Sequence, residues 1–255
     1  MTQEETGPVY APELEGGEWL QGDPVAIRGS GKPVLIDFWD YTCVNCLRTL
    51  PYVKEWHRKY AELGLMVVGV HTPEFSFAKK PEHVRRAIAS LGIEYPVVLD
   101  ADFKIWQAYT NRYWPAKYFI DVSGKLRAHH TGEGGYNESE QALQALISEQ
   151  EGFTGPLPEL MEPVRPEDET GAVCYRVTPE LYCGLGRGNI GNIMNIAPDQ
   201  PSTYTDHGKH VQGMLYYEGD WILQTENAAR PYGARRTSRM HLDYMGADLN
   251  LVLHP

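Results

Sequence analysis

The sequence predicts an α/β protein whose first 151 residues form a central mixed sheet flanked by helices, followed by a small β-sandwich, jelly-roll-like domain. Three observations predict it. A short apolar run, Val34 to Trp39, leads at once into a segment that places Leu47, Leu50, Val53 and Trp56 at helical spacing. From there to Glu149 strand-like and helix-like stretches alternate, and strands joined through helices must run parallel in places. After a break rich in proline and acidic residues, the remaining pattern is strand-like.

Taken in order, residues 1–32 are rich in Glu, Gly and Pro and read as a weakly structured edge. Val34 to Trp39 is a buried strand interrupted only by Asp37, and the helix that follows spans Val44 to Glu62. Gly64 closes that helix, and Leu65 to Val70 makes a second buried strand that ends in His71-Thr72-Pro73-Glu74. Pro81 and Gly92 mark the start and end of the next helix. Pro96 to Asp100 is a short strand and Ala101 to Tyr109 a short helix. Ala116 to Val122 is a strand turned by Ser123-Gly124 into Lys125 to Thr131. Asn137, with Glu140 three residues on, reads as the cap of a last helix through Glu149.

Residues 152–170 contain Pro156, Pro158, Pro163 and Pro166 among acidic residues and read as a linker. Residues 171–255 form the β domain, with strands at Tyr175 to Tyr182, Met214 to Gln224 with a Glu-Gly-Asp turn at 218–220, Arg239 to Tyr244 and Leu249 to Leu253. This leaves a short chain for a sandwich, which is expected to be incomplete. No internal repeat is visible.

With 255 residues, 42% of them hydrophobic, the chain can bury a core of one large or two small domains. The net charge of −11 excludes a phosphate-backbone partner, which needs a concentrated positive face. The N-terminus is acidic without an apolar leader, and no run approaches the ~20 apolar residues of a membrane span. A cytoplasmic protein is the expectation, with an extracytoplasmic or periplasmic location if the chain is a fragment or processed.

Chemistry concentrates at Cys43-Val44-Asn45-Cys46. Cys43 at a helix N-terminus meets unpaired N–H groups and the positive end of the helix dipole, which favour a thiolate. Cys46 lies one turn on, on the same face, placed to attack a mixed disulfide formed at Cys43. A zinc site needs four ligands, and Cys174 and Cys183 are not spaced as a second knuckle. A pair of inert buried cysteines would not need an acid beside it. Asp37 stands among Ile36, Phe38 and Trp39, where burial should raise its pKa toward neutrality and let it exchange protons with Cys46. Thr42 adjoins Cys43; a peroxide-reducing site would need its threonine three residues before the cysteine and a proline further upstream, and Pro33 is misplaced for that. Cys174 and Cys183 read equally as a disulfide or as two small buried residues. Tyr175, Tyr182, Tyr216, Tyr217 and Trp221 read as sugar-stacking rings or, from their alternation, as core. Arg230, Arg235, Arg236 and Arg239 read as a solvated loop.

Ile-Asp-Phe-Trp, then Cys-Val-Asn-Cys with Pro51 five residues after the second cysteine, resembles thioredoxin. Four motifs in order resemble, more narrowly, the TlpA-like domain of DipZ-type proteins: Cys-Val-Asn-Cys-Leu-Arg-Thr-Leu-Pro, Val-Gly-Val-His-Thr-Pro-Glu-Phe (68–75), Tyr-Trp-Pro-Ala-Lys-Tyr-Phe-Ile-Asp (113–121) and Gly-Glu-Gly-Gly-Tyr (132–136). The resemblance covers most of residues 9–150 and continues loosely into the C-terminal part, where it implies a carbohydrate-binding-module-like sandwich. It implies a thiol-disulfide oxidoreductase in which Cys43 attacks, Cys46 resolves and Asp37 relays protons. Pro115 would be a cis proline facing the cysteines and leaving backbone groups free for an extended substrate. Glu74 would bring a carboxylate toward them, with Trp39, Thr42 and Trp114 as substrate contacts. It implies no cofactor beyond the redox disulfide and no metal; the partners are protein thiols and disulfides, an electron donor or acceptor protein, and a glycan at the C-terminal domain. DipZ-type proteins carry this domain outside the cytoplasmic membrane behind a membrane-embedded half, so the chain is expected to be a free-standing relative or a fragment. The competing expectation is a glycan- or protein-binding module on a redox-inactive scaffold.

Overall fold

The strand that leads into the cysteine pair is buried along its whole length because it is paired on both edges and covered on both faces. A computed structural model describes residues 8–169, 171–172, 176–193 and 197–253. The chain divides into two compact units, Met1–Ala172 and Val173–Pro255.

The first unit runs β1 (Glu18–Gln21), β2 (Val34–Trp39), α1 (Val44–Tyr60), β3 (Met66–His71), α2 (Pro81–Leu91), β4 (Val97–Leu99), α3 (Lys104–Ala108), β5 (Ala116–Ile120), β6 (Leu126–Thr131) and α4 (Tyr136–Ser148). Its six-stranded sheet has the order β1-β4-β3-β2-β5-β6. β2, β3 and β4 run parallel, while β5 and β6 form an antiparallel hairpin against β2 and β1 adds antiparallel to β4. This is a thioredoxin-like fold.

Strand alternation splits the core into two layers. Leu35 and Trp39 of β2 face a layer made with Cys46, Leu50, Val53 and Trp56 of α1, Val84 and Ile88 of α2 and Leu143 and Ile147 of α4. Val34, Ile36 and Phe38 face the opposite layer, with Ile27, Ile105 and Tyr109. Asp37 therefore shares the α1 face with Leu35 and Trp39. Directly across the ladder, on β5, its register partner is Lys117.

Several elements depart from the sequence reading. The expected weak edge contains β1, whose approach to β4 depends on Gly17: a Cβ there would lie 2.4 Å from Val98 Cγ2. α4 is not capped by Asn137, which lies inside it; the cap is Gly135, at φ 59 in the left-handed region that favours glycine. Glu140 consequently serves no capping box. It is buried, and its Oε1 accepts from Lys59 Nζ and Tyr60 OH, each at 2.6 Å, while its Oε2 accepts Met161 N–H at 2.7 Å.

That last bond corrects the reading of 152–170 as a linker. Among the described residues of that stretch, Phe153, Leu157 and Met161 pack on the α1-side core, and Tyr52 OH accepts Val164 N–H (2.6 Å) and donates to Asp168 (2.8 Å). Prolines bar a helix there, but an extended strap needs none. It can lay alternate apolar side chains on a surface and give its N–H groups to buried acceptors.

The described residues of the second unit hold one four-stranded antiparallel sheet: β7 (Pro201–Tyr204), β8 (Leu215–Leu223), β9 (Ala228–Ala229) and β10 (Arg239–Leu242). The expected turn at 218–220 is instead the middle of β8. Glu218 still pairs with Arg239 of β10, while Gly219 and Asp220 pair with Tyr204 and Thr203 of β7, so one strand changes partner at a glycine. Residues 176–182 and 249–253 form no strand, and Leu249, Leu251, Val252 and Leu253 are exposed; Tyr175 lies outside the described residues. No second layer appears among the described residues. The rings considered for sugar stacking are occupied: Tyr217 packs with Tyr204 and Trp221, and the Arg187 guanidinium covers the Tyr182 ring at 3.7 Å.

Glu140→Ala would leave Lys59, Tyr60 and the Met161 N–H without their shared buried acceptor, and it should cost about 3–5 kcal/mol of unfolding free energy in urea melts. A loss under about 1 kcal/mol would show that the strap is not held through this carboxylate.

Candidate active site

The turn between β2 and α1 is fixed by its own backbone. Cys43 N–H donates to the Asp40 carbonyl at 3.2 Å, Leu47 N–H donates to the Cys43 carbonyl, and Cys43 Sγ accepts the Cys46 N–H at 3.3 Å, so the cysteine sulfur itself caps α1. Both thiols are free and both are nearly closed off, with Cys43 6% and Cys46 3% exposed. Burial pushes the Cys46 thiol far up, and the Cys43 sulfur beside it and the Asp37 charge push it further. Each of these effects favours the protonated form of Cys46.

Asp37 lies beneath, 2% exposed, and burial raises its pKa to about 7 although the Lys117 ammonium acts against the rise. Its Oδ1 has no hydrogen-bond partner among the described residues. Lys117 is fully buried, and burial lowers its pKa while Asp37 and Cys46 oppose that fall. Its Nζ stands 3.5 Å from the Gly132 carbonyl and over the Tyr136 ring at 5.5 Å. Sequence reasoning missed this lysine. The signal was there: a charge inside the apolar run Ala116 to Ile120, the same anomaly that exposed Asp37.

A second buried acid organises the rim. Asp40, with no exposed surface, accepts Thr42 N–H on Oδ1 (2.9 Å) and Glu74 N–H on Oδ2 (2.5 Å), binding the cysteine turn to the loop after β3. His71 Nε2 stands 3.4 Å from Asp40 Oδ1, and its ring stacks under Tyr41. Burial alone would raise the Asp40 pKa; His71 and the two N–H donors outweigh it, and the net shift is downward. Asp40 and His71 were also missed. Asp40 sat at a strand end, where an acid gives no anomaly.

The remaining expected residues are placed as follows. Glu74 is set at the rim by its backbone bond to Asp40. Thr42 is half-buried next to Cys43, and its Oγ1 has no partner among the described residues. The Trp114–Pro115 peptide is cis, and because Ala116 pairs with Phe38, Pro115 stands beside the end of β2 that leads to the cysteines. Its carbonyl accepts Gly132 N–H at 2.8 Å, so that backbone group is not free as expected. Trp114 is half-buried, donates Nε1–H to the Thr72 carbonyl at 2.9 Å and packs on Trp106. Trp39 is corrected: at 1% exposure, edge-on to His71, it is a core residue with no surface for a substrate. Cys174 lies outside the described residues, and Cys183 is half-buried with a free thiol.

Residues 13–129 match the family described as AhpC/TSA. The DipZ proteins of Mycobacterium bovis and Mycobacterium tuberculosis are 36% identical to this chain over 250 residues, 95% of the chain but 35% of each relative. The chain thus spans about a third of their length. The thiol-disulfide oxidoreductase YkuV of Bacillus subtilis is 34% identical over 142 residues, 55% of this chain and 95% of that protein. A solved solution structure of a thioredoxin-like protein in its oxidised form superposes with a TM-score of 0.51 at 32% identity, covering 56% of this chain and 98% of that one. These relatives overturn the expected cytoplasmic location. The chain aligns almost end to end with about a third of DipZ, so the acidic start and the missing apolar run within these 255 residues do not place it in the cytoplasm.

A carboxyl whose pKa is raised on folding weakens the fold as pH climbs, because the unfolded chain gives up the proton first. For Asp37 the cost is absent below the ordinary carboxylate range, grows from about pH 4 to about 7 and is complete above that. Asp37→Asn should therefore be neutral near pH 4 and stabilise by about 2–4 kcal/mol near pH 8, the gain being reduced by the partner that Lys117 loses. Equal gains at the two pH values in urea unfolding would show that Asp37 does not titrate in this range.

Proposed function

The chain belongs to the thioredoxin-like thiol-disulfide oxidoreductase family, and we propose that it exchanges electrons with protein thiols and disulfides through Cys43 and Cys46. One observation carries the reading: a thiol that burial keeps protonated, Cys46, sits one helical turn behind a helix-capping cysteine and over a carboxyl that titrates near neutrality.

In the reducing direction the Cys43 thiolate attacks one sulfur of a substrate disulfide. The S–S bond breaks, Cys43 and that sulfur form a mixed disulfide, and the other substrate sulfur leaves as a thiolate. Cys46 then gives its proton to Asp37 and attacks Cys43 Sγ, so the mixed disulfide breaks, the second substrate thiolate departs and the Cys43–Cys46 disulfide forms. Two electrons pass to the substrate. Lys117 supports the step by favouring the ionised form of Asp37, so that a carboxylate is present at the start to take the proton. The oxidising direction is the same sequence reversed, and an electron donor or acceptor protein returns the pair to its starting state.

Neither direction requires a cofactor beyond the cysteines. In this reading cis-Pro115, Trp114 and Thr42 supply the groove for an extended substrate chain, with Glu74 at its rim; the cis bond and the ties of Trp114 to Thr72 and of Thr42 and Glu74 to Asp40 support it.

Insulin reduction with dithiothreitol tests the reading: the wild-type chain should accelerate it and Cys43→Ser should abolish the acceleration. Cys46→Ser should accumulate a mixed disulfide with a protein substrate, visible on a non-reducing gel, while Cys43→Ser traps none. Trapping by Cys43→Ser and not by Cys46→Ser would reverse the two roles.

In stopped-flow measurements between about pH 6 and 9, Asp37→Asn should slow resolution of the mixed disulfide on the order of a hundredfold at the lower end and leave the first attack near its wild-type rate. The difference should shrink as pH rises, since hydroxide increasingly takes over the proton. A resolution rate equal to wild type across the range would remove Asp37 from the step.

A further inference from the structure

In the second unit four side chains from three separate parts of the chain converge. Asp206 and His210 come from the loop between β7 and β8, Glu218 from β8 and His241 from β10. His210 Nε2 lies 2.9 Å from Asp206 Oδ1. His241 Nε2 lies 3.8 Å from Asp206 Oδ2 and 2.9 Å from Glu218 Oε2. The two imidazoles face each other with centroids 5.3 Å apart. One ligand atom from each of Asp206, His210 and His241 falls within 4.8 Å of the other two.

We propose that Asp206, His210 and His241 hold a divalent zinc-type ion, with Glu218 beside His241. Donors at the usual ~2.0–2.1 Å from a tetrahedral zinc are about 3.3 Å apart, and the separations found here, 2.9 to 3.8 Å, bracket that value. Proton sharing alone accounts poorly for the set. His241 Nε2 carries one proton or one lone pair, yet two carboxylates converge on it; the Arg239 guanidinium, 3.2 Å from Glu218 Oε1, offsets part of the charge of Glu218, while Asp206 faces the two imidazoles. A dication bound to the Nε2 lone pairs removes the contested protons and neutralises both acids at once. The ligands are also braced from behind. Asp206 Oδ1 accepts Gly208 N–H, the Tyr216 ring packs on His210 at 4.7 Å, and Tyr216 OH accepts the N–H of neighbouring Val211. The ion would have a structural task, since among the described residues the buried apolar cluster of this unit is Ile190, Tyr204, Tyr217 and Leu223. It would join β10 and the loop between β7 and β8.

The test uses the full chain with Cys43 and Cys46 oxidised to their disulfide, so that those thiols cannot bind metal. Zinc titration against a chromophoric chelator should show one equivalent bound, with affinity reduced at least about tenfold in His210→Ala and in His241→Ala. A Cys43→Ser, Cys46→Ser chain should bind as wild type does. Cobalt in place of zinc should give visible d–d bands without the near-ultraviolet sulfur charge-transfer band. A wild-type chain that takes up no zinc, binding that survives both histidine substitutions, or a sulfur band with cobalt would each overturn the proposal. The wild-type titration alone can reject it, whether or not the variants fold.

Discussion

A carboxyl and an amine buried as opposite partners on β2 and β5 are the constraint on which the first unit depends. Neither group would be stable alone in that position, since an unpaired charge in a low-dielectric interior is expensive and the usual response is to neutralise it. Here the two pKa values move toward each other, Asp37 up and Lys117 down, each through burial and each opposed by the charge of the other. The surroundings preserve that balance by keeping water out. Trp39 and Trp56 fill the same layer, Tyr136 covers Lys117, and the turn after β6 and the start of α4 supply the Gly132 and Tyr136 contacts on the far side. The fold holds an acid and an amine together in its interior beside the thiols.

Asp40 performs the complementary task at the surface end of β2. By taking the N–H groups of Thr42 and Glu74 it locks the cysteine turn to the loop after β3, and His71 keeps it ionised so that it remains an acceptor. Two acids three residues apart thus have opposite electrostatics. Asp37 lacks a full set of donors and is driven toward its neutral form, whereas Asp40 is surrounded by donors and stays charged. The acid beneath the thiols and the acid that positions the loop are different side chains.

The site was legible where the sequence broke its own pattern. Asp37 interrupts an apolar strand, and the cysteine pair lies between a strand run and a helical period, so both strand-to-helix geometry and the acid could be read directly. Pro81 and Gly92 gave the limits of α2, since proline at N1 and a left-handed glycine are local signals. What could not be read depends on distant pairing. β1 exists because β4 offers it an edge, Gly135 caps α4 because of its backbone angle, and His71 and Asp40 matter only because parallel pairing of β2 with β3 brings their strand ends together. In the second unit the local signals misled. Glu218-Gly219-Asp220 has turn composition, but Gly219 instead sits at φ 84 within a continuous strand that trades one neighbour for another.

The proline-rich strap shows how composition can describe a segment correctly and still mislead about its place. Proline removes helix and ladder options from 156–166, and that part of the inference stands. Yet a chain that cannot pair with itself still has N–H groups and apolar side chains to satisfy, and the surface formed by α1 and α4 offers takers for both: Glu140 for Met161 N–H, Tyr52 OH for Val164 N–H, and the α1-side layer for Phe153, Leu157 and Met161. The contact reaches toward the site. Tyr52, held at its hydroxyl by Asp168, stacks on Tyr136 with ring centroids 3.7 Å apart, and Tyr136 is the ring over which Lys117 is poised. The strap thus braces the outer wall of the chamber that holds the Asp37–Lys117 pair. That makes it part of the first compact unit in physical terms, a unit that runs to Ala172 rather than ending with its last helix.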